Sequence, residues 1–199
     1  MTATIFLVRH AAHDDVGRYL AGRSPSVHLG PEGLAQAERL GRRMQREQFG
    51  TILASPRERA RETAAAIAAA CGHIPVEASE ALDEVDFGHW SGSTFDELNK
   101  QDGWRQWNAT RSMAETAAGE TMLDVQRRAM GLIWQLARRG TDSRLVLVSH
   151  ADVIRSVVSY VLGLPIDAWT RFEVSPASIT TLVVGDWGGK LLTLNETVA

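Results

Sequence analysis

Two short apolar runs, Ile5-Phe6-Leu7-Val8 and Leu145-Val146-Leu147-Val148, constrain the fold more than anything else in the chain. Each is too short for a stable helix and lacks polar alternation, so each reads as a strand buried on both faces. Each also ends on a polar pair, Arg9-His10 in the first case and Ser149-His150 in the second. Ile52-Leu53-Ala54, followed by Ser55, is a third and shorter candidate. Strands covered on both sides need helices above and below them, which is the layout of an α/β layered sheet.

The sequence between the runs supplies those helices. Gly30-Pro31-Glu32 starts one, with proline at the first helical position and glutamate at the positive end of the dipole. Leu34, Ala37, Leu40 and Met44 follow at helical spacing. Ser55-Pro56-Arg57-Glu58 reads as a capping box opening a second helix, which Gly72 ends. A third spans about 121–139, with Met122, Val125, Ala129, Ile133 and Leu136 on one face and Gly140 as its stop. A fourth follows His150, carries Val153, Ile154, Val157, Val158 and Val161, and stops at Gly163 before Pro165. Residues 178–184 and 190–194 predict a late hairpin through the glycine-rich turn between them. The alternation of strand and helix predicts a mostly parallel sheet. The irregular stretch 95–119, rich in Trp and Arg, is expected outside the sheet as a cap or lid on a single domain spanning 1–199.

A net charge of −3 gives no electrostatic support to nucleic-acid binding. No apolar run reaches membrane-spanning length, and the first residues lack the pattern of a secretion signal. The single cysteine, Cys71, has no partner for an internal disulfide, and a buried thiol in a reducing cytoplasm is the expectation.

Ligands of open α/β sheets bind beyond the C-terminal strand ends. That rule brings Arg9, His10, Ser55, Ser149 and His150 to one rim, and Arg59, early in the second helix, points back at it. Arginines, histidines and a helix N-terminus in one small volume repel one another unless an anion joins them, and phosphate matches the guanidinium forks. The arginines should depress the pKa of His10 and keep its ring neutral, hence nucleophilic toward phosphorus. Arginine and His150 would stabilise charge on the phosphoryl oxygens. An acid for the leaving oxygen must come from Leu82-Asp83-Glu84-Val85-Asp86-Phe87-Gly88, where three carboxyls have apolar neighbours.

Arg9-His10, Ser55-Pro56 with Arg59-Ala60 and Thr63-Ala64, the segment from Leu82 through Glu84 and Phe87-Gly88 to Trp90 and Gly92, Gly119-Glu120-Thr121, and Ser149-His150 occur in that order. The chain so resembles the histidine phosphatase superfamily, in its phosphoglycerate-mutase-like branch, from about residue 4 to about residue 185. The resemblance implies a three-layer α/β/α sandwich, phosphorylation of His10, phosphoryl contacts from Arg9, Arg59 and His150, proton donation by Glu84, and no metal cofactor. It departs from the family where alanine replaces glycine, at Ala11 and at Ala151 beside the phosphoryl site. Val16 or Gly17 stands near the place of a phosphate-contacting asparagine.

Further positions carry open readings. His10-x-x-His13 could suggest a metal, but flanking arginines repel a cation, and His13 either lines the substrate entrance or faces solvent. Arg23 could reach a substrate phosphate or carboxylate. Trp104, Arg105, Trp107 and Arg111 face substrate as a lid or pack the cap onto the body. His28, His73 and His89 read as surface residues, and Trp90 and Trp134 as core. The expected activity is hydrolysis of a small organic phosphate monoester. Its rivals are a cofactor-dependent phosphoglycerate mutase and a catalytically silent phospho-ligand-binding module. The basic residues available near the site to a mutase, Lys100, Arg105 and Arg111, are few, which favours hydrolysis.

Overall fold

The computed structural model describes residues 2–138 and 143–198. Its strands are β1 (Thr2–Arg9), β2 (Thr51–Ala54), β3 (Val76–Ala78), β4 (Ser143–Ser149), β5 (Ile179–Gly185) and β6 (Gly188–Glu196). Its helices are α1 (Pro31–Met44), α2 (Glu58–Ala70), α3 (Phe95–Leu98), α4 (Asp102–Ala109), α5 (Met122–Ala137) and α6 (Ala151–Leu162). The strands form one six-stranded sheet in the order β3-β2-β4-β1-β5-β6. β3, β2, β4 and β1 run parallel, while β5 is antiparallel to β1 and β6 to β5.

Strand alternation divides the core into two layers. Phe6, Val8, Ile52, Ala54, Val146 and Val148 face α1 and α2. Ile5, Leu7, Leu53, Leu145 and Leu147 face α5 and α6. The expected α/β/α sandwich with a mostly parallel sheet is therefore what the chain forms. The apolar faces expected of α5 and α6 are buried, apart from the half-buried Val161. Gly163, with φ at +65°, closes α6 in the left-handed conformation. The stop expected at Gly140 lies outside the described residues.

Two expectations need correction, and one strand was not anticipated. The helix after Ser55 begins only at Glu58, its N-cap is Arg57, and no side chain caps it. The Ser55 hydroxyl accepts the N–H of Arg57 at 3.3 Å rather than one inside the helix, and it is held as well by Asp83 and His150. Leu34 is 51% exposed, because the face of α1 that meets the body is built from Gly33, Ala37, Leu40, Gly41 and Met44. Gly33 and Gly41 are required there. A Cβ on Gly33 would lie 1.8 Å from the Ala12 carbonyl oxygen, and one on Gly41 would lie 2.9 Å from that of Ala66 in α2. β3, which no apolar run announced, is an exposed edge strand. Among the described residues, no helix is long and apolar enough to cross a membrane.

Candidate active site

The register of β1 on β4 places Arg9 opposite Ser149, so the residues that follow, His10 and His150, emerge side by side at one sheet end. Their rings lie 5.1 Å apart, edge to face. The His10 backbone N–H donates to the Ser149 carbonyl at 3.0 Å, which ties the two strand ends together. Both side chains are almost fully buried.

The tautomers follow from the partners. His10 Nδ1 lies 2.7 Å from the Ala11 carbonyl oxygen, which can only accept, so Nδ1 carries the proton and Nε2 the lone pair. That lone pair accepts from Arg59 Nε at 3.3 Å. His150 Nδ1 faces Arg59 Nη2 at 3.2 Å, a pure donor, so Nε2 holds the His150 proton and donates it to Ser55 Oγ at 2.8 Å. The Ser55 hydroxyl passes the chain to Asp83 at 3.2 Å.

Burial is the main cause that holds His10 well below the ordinary histidine range, with Arg59 and then Arg9 adding to it. The two arginines alone are therefore the lesser part of the effect. Burial leads again for His150, followed by Arg59, and for His13, whose pKa falls to about 4. A neutral His150 makes no ion pair with Glu84, although Nδ1 and the Glu84 carboxyl are 3.6 Å apart.

Of the three loop carboxyls, Glu84 lines the cavity and the other two do not. Asp83 is committed to Arg57 at 3.0 Å and Arg23 at 3.4 Å. Asp86 accepts from the Gly88 N–H and from Arg23. Burial pushes Glu84 up to about 7, helped by the negative charge of Asp152 and opposed by Arg59 and Arg9. Asp152 stays below the usual carboxylate range because Arg111, at 2.9 Å, and Arg155, at 3.5 Å, outweigh its burial.

The cavity has a volume of about 650 Å³. Arg9, His10, Arg59, Glu84 and Ala151 line it, as do His13 and Tyr19. Phe95, Trp104, Arg105 and Arg111 of the 95–119 stretch line it as well. Two guanidinium nitrogens here, Arg9 Nε and Arg59 Nη1, are buried and have no hydrogen-bond partner among the described residues. Several other guanidinium Nε atoms are likewise unpartnered, but these two sit beside an unprotonated ring nitrogen and the N-terminal turn of α6. The arrangement is built to receive an anion with several acceptor oxygens.

Ala11 and Ala151 fit without strain, since neither has a positive φ. The Ala11 N–H is taken by Thr63 Oγ1 at 3.0 Å and is not free for a ligand. His13 lines the cavity and is only 9% exposed, stacked 6.2 Å from His10. Arg23 does not line the cavity. Its guanidinium is turned the other way, onto the Glu84 carbonyl at 2.8 Å and the carboxylates of Asp83, Asp86 and Glu120. Trp104 and Arg111 combine both readings given to them, being buried in the 95–119 packing while also lining the cavity. Trp107 is wholly buried and serves packing alone. Trp90 is buried, Trp134 partly so, and His28, His73 and His89 are exposed.

Sequence reasoning missed Asp152, Arg155 and Trp169 of the cavity wall. A signal for the first two existed. They stand two and five places after His150, and the opening turns of a helix that starts at a sheet rim face that rim.

Residues 5–197 match the Histidine phosphatase superfamily (branch 1). The chain is similar to phosphoserine phosphatase 1 of Hydrogenobacter thermophilus, with 29% identity over 97% of this chain and 92% of that protein. It is similar to the probable phosphoglycerate mutase GpmB of Klebsiella pneumoniae, with 32% identity over 88% of this chain and 82% of that one. Its fold superposes on the crystal structure of Entamoeba histolytica phosphoserine phosphatase in complex with 3-phosphoglyceric acid at a TM-score of 0.87, with 25% identity and 98% of each chain covered.

Proposed function

Because the chain belongs to the histidine phosphatase superfamily (branch 1), we propose that its hydrolysis of small organic phosphate esters runs through a phosphohistidine formed on His10. The observation that carries this reading is the pair of unpartnered guanidinium donors, Arg9 Nε and Arg59 Nη1, beside the neutral His10 ring.

The ester's phosphoryl group enters between Arg9, Arg59 and His150, and one oxygen takes over the Arg59 Nε–H that otherwise meets the His10 lone pair. His10 Nε2 then attacks phosphorus while the bond to the ester oxygen breaks, and its Nδ1–H stays on the Ala11 carbonyl. Glu84, protonated below about pH 7, gives its proton to the departing oxygen. The dianion raises the proton affinity of His150, which favours a charge-assisted bond to a phosphoryl oxygen. Water then attacks phosphohistidine, with the Glu84 carboxylate as base. The N–H groups opening α6 at Ala151 support the phosphoryl oxygens. His13 lines the entrance. Residues 95–119 serve as the cap of a single domain.

A small ester suits a cavity of about 650 Å³. Arg105, Arg111 and Arg155 also line it and, although each already meets a carboxylate, their combined positive charge suits substrates with a further anionic group. Phosphoserine and phosphoglycerates head a substrate panel, since the relatives bear those names. The lone Cys71 fits residence in a reducing cytoplasm.

Rapid-quench labelling with a turned-over phosphate ester should leave acid-labile, base-stable phosphate on the wild type and none on His10→Ala. Activity of His10→Ala should fall by at least about a thousandfold. Full activity in that variant would remove His10 from the mechanism. The similarity to a probable mutase gives a second reading its place. Isomerisation of 3-phosphoglycerate in the presence of bisphosphoglycerate, faster than phosphate release, would favour it.

A further inference from the structure

The loop that carries Glu84 lacks a backbone ladder of its own, lying between the 3-10 turns Glu80–Leu82 and Gly88–Trp90. Within it, the Glu84 carboxyl is steered by the neighbouring amide, since the Val85 N–H donates to Oε1 at 2.9 Å. Such a bond aims the carboxyl only as well as the loop backbone itself is fixed.

That backbone is gripped from the side away from the cavity. Arg128 of α5 donates Nη1 to the Asp83 carbonyl at 2.6 Å and to that of Ala81 at 3.0 Å. Its Nη2 donates to the Glu84 carbonyl at 3.1 Å. Arg23 donates to the same Glu84 carbonyl from the other direction. Two guanidiniums converging on one carbonyl need a shared counter-charge, and Glu120 supplies it. Glu120 accepts from Arg128 Nε at 3.1 Å, from Arg23 Nη2 at 3.3 Å and from the Asp86 N–H at 2.6 Å. Glu120 directly precedes Thr121, whose hydroxyl caps α5, so grip and helix start are one rigid unit. Neither Arg128 nor Glu120 lines the cavity.

We propose that Arg128 and Glu120 are positioning residues: together they clamp the backbone of residues 81–86 and so hold the Glu84 carboxyl at the leaving oxygen. The inference rests on the reading of Glu84 as proton donor. It assigns a purpose to the Gly119-Glu120-Thr121 motif that the phosphoryl contacts do not use.

The test compares two esters. A glycerol phosphate leaves as an alkoxide and needs its proton, whereas p-nitrophenyl phosphate leaves as a stabilised anion and needs it little. The constant kcat/KM reports transfer to His10 and is blind to the later water step. Arg128→Lys and Glu120→Gln should each lose about ten- to a hundredfold in kcat/KM on the glycerol ester. Both should be little changed on the aryl ester. Glu84→Gln should show the same asymmetry, only larger. Equal losses on both esters, or no loss, in Arg128→Lys and Glu120→Gln while Glu84→Gln stays asymmetric overturns the clamp alone. A symmetric loss in Glu84→Gln overturns the proton-donor reading and the clamp with it. Should Arg128→Lys fail to fold by circular dichroism, Glu120→Gln, which keeps shape but removes the bridging charge and replaces one acceptor oxygen by a donor, carries the comparison.

Discussion

Glu84 and Asp152 reach the cavity from different elements, and their charges are linked. Asp152 is held ionised by Arg111 and Arg155, and its charge is the second cause, after burial, that lifts Glu84 to about 7. In the proposed role Glu84 donates only while protonated, so kcat/KM on an alkyl ester should fall as pH rises through about 7. Asp152→Asn keeps the size and removes the charge, which lowers the Glu84 pKa and should move that limb to lower pH. A pH–rate profile checks this, and an unmoved limb would assign it to another group. His10, Arg9, Arg59, Glu84 and His150 could be named from the sequence because each stands at an element end or in a motif block. The sequence could not tell that Arg23 turns away from the ligand. The carbonyl and carboxylates that attract it come from segments about residues 83–86 and 120, far along the chain.

At the scale of elements, the 95–119 segment meets the region around α6 through two neighbouring residues. Arg111 is sandwiched between Trp107 at 3.9 Å and Trp169 at 3.6 Å, and it pairs with Asp152 of α6. Ser112 donates its N–H and hydroxyl to Asp167. Arg111→Met breaks a nearly buried ion pair and a double cation–π stack, which should cost about 3 kcal/mol. Urea denaturation measures that loss, and limited proteolysis should find the segment cut faster. An unchanged urea midpoint would mean that the contacts there are energetically idle. Within this segment the short helices α3 and α4 were not legible. α3 is only four residues long and is set by the Thr94–Glu97 capping box. α4 buries two tryptophans against Phe87 and Trp90, partners that periodicity within the segment cannot reveal. β3 escaped notice because its three residues are exposed and hold their place only by pairing with β2.

The whole molecule carries a cost of acidity. His10, His13 and His150 all titrate below the ordinary histidine value of 6.5 when folded. For these three rings the unfolded chain binds protons in a range where the folded chain does not, so their contribution is fully present above about pH 6.5 and is lost as pH falls toward the folded pKa values, while Glu84, raised to about 7, acts in the opposite sense and offsets about one of them. Each histidine contributes a slope of up to about 1.4 kcal/mol per pH unit. Denaturant titrations between pH 7 and 5 should show a net decline, shallower in His13→Gln and steeper in Glu84→Gln, and a flat profile would contradict the burial of these rings. The layered sheet was readable from the alternation of its elements, but the strand order was not. Nothing local says that β4 inserts between β2 and β1, since that neighbourhood is chosen by packing across the chain.

The pairing of Arg9 with Ser149 also sets which changes of length the protein can survive. Losing or gaining one residue within β1 or β4 would turn every following side chain to the opposite face, exchanging the two core layers and separating the histidines. Insertions at the Asp186-Trp187 tip of the β5–β6 hairpin, where Trp187 is 60% exposed, meet no such frame. Natural variation in length should therefore gather at such tips and leave the two strands that carry the histidines uniform in count.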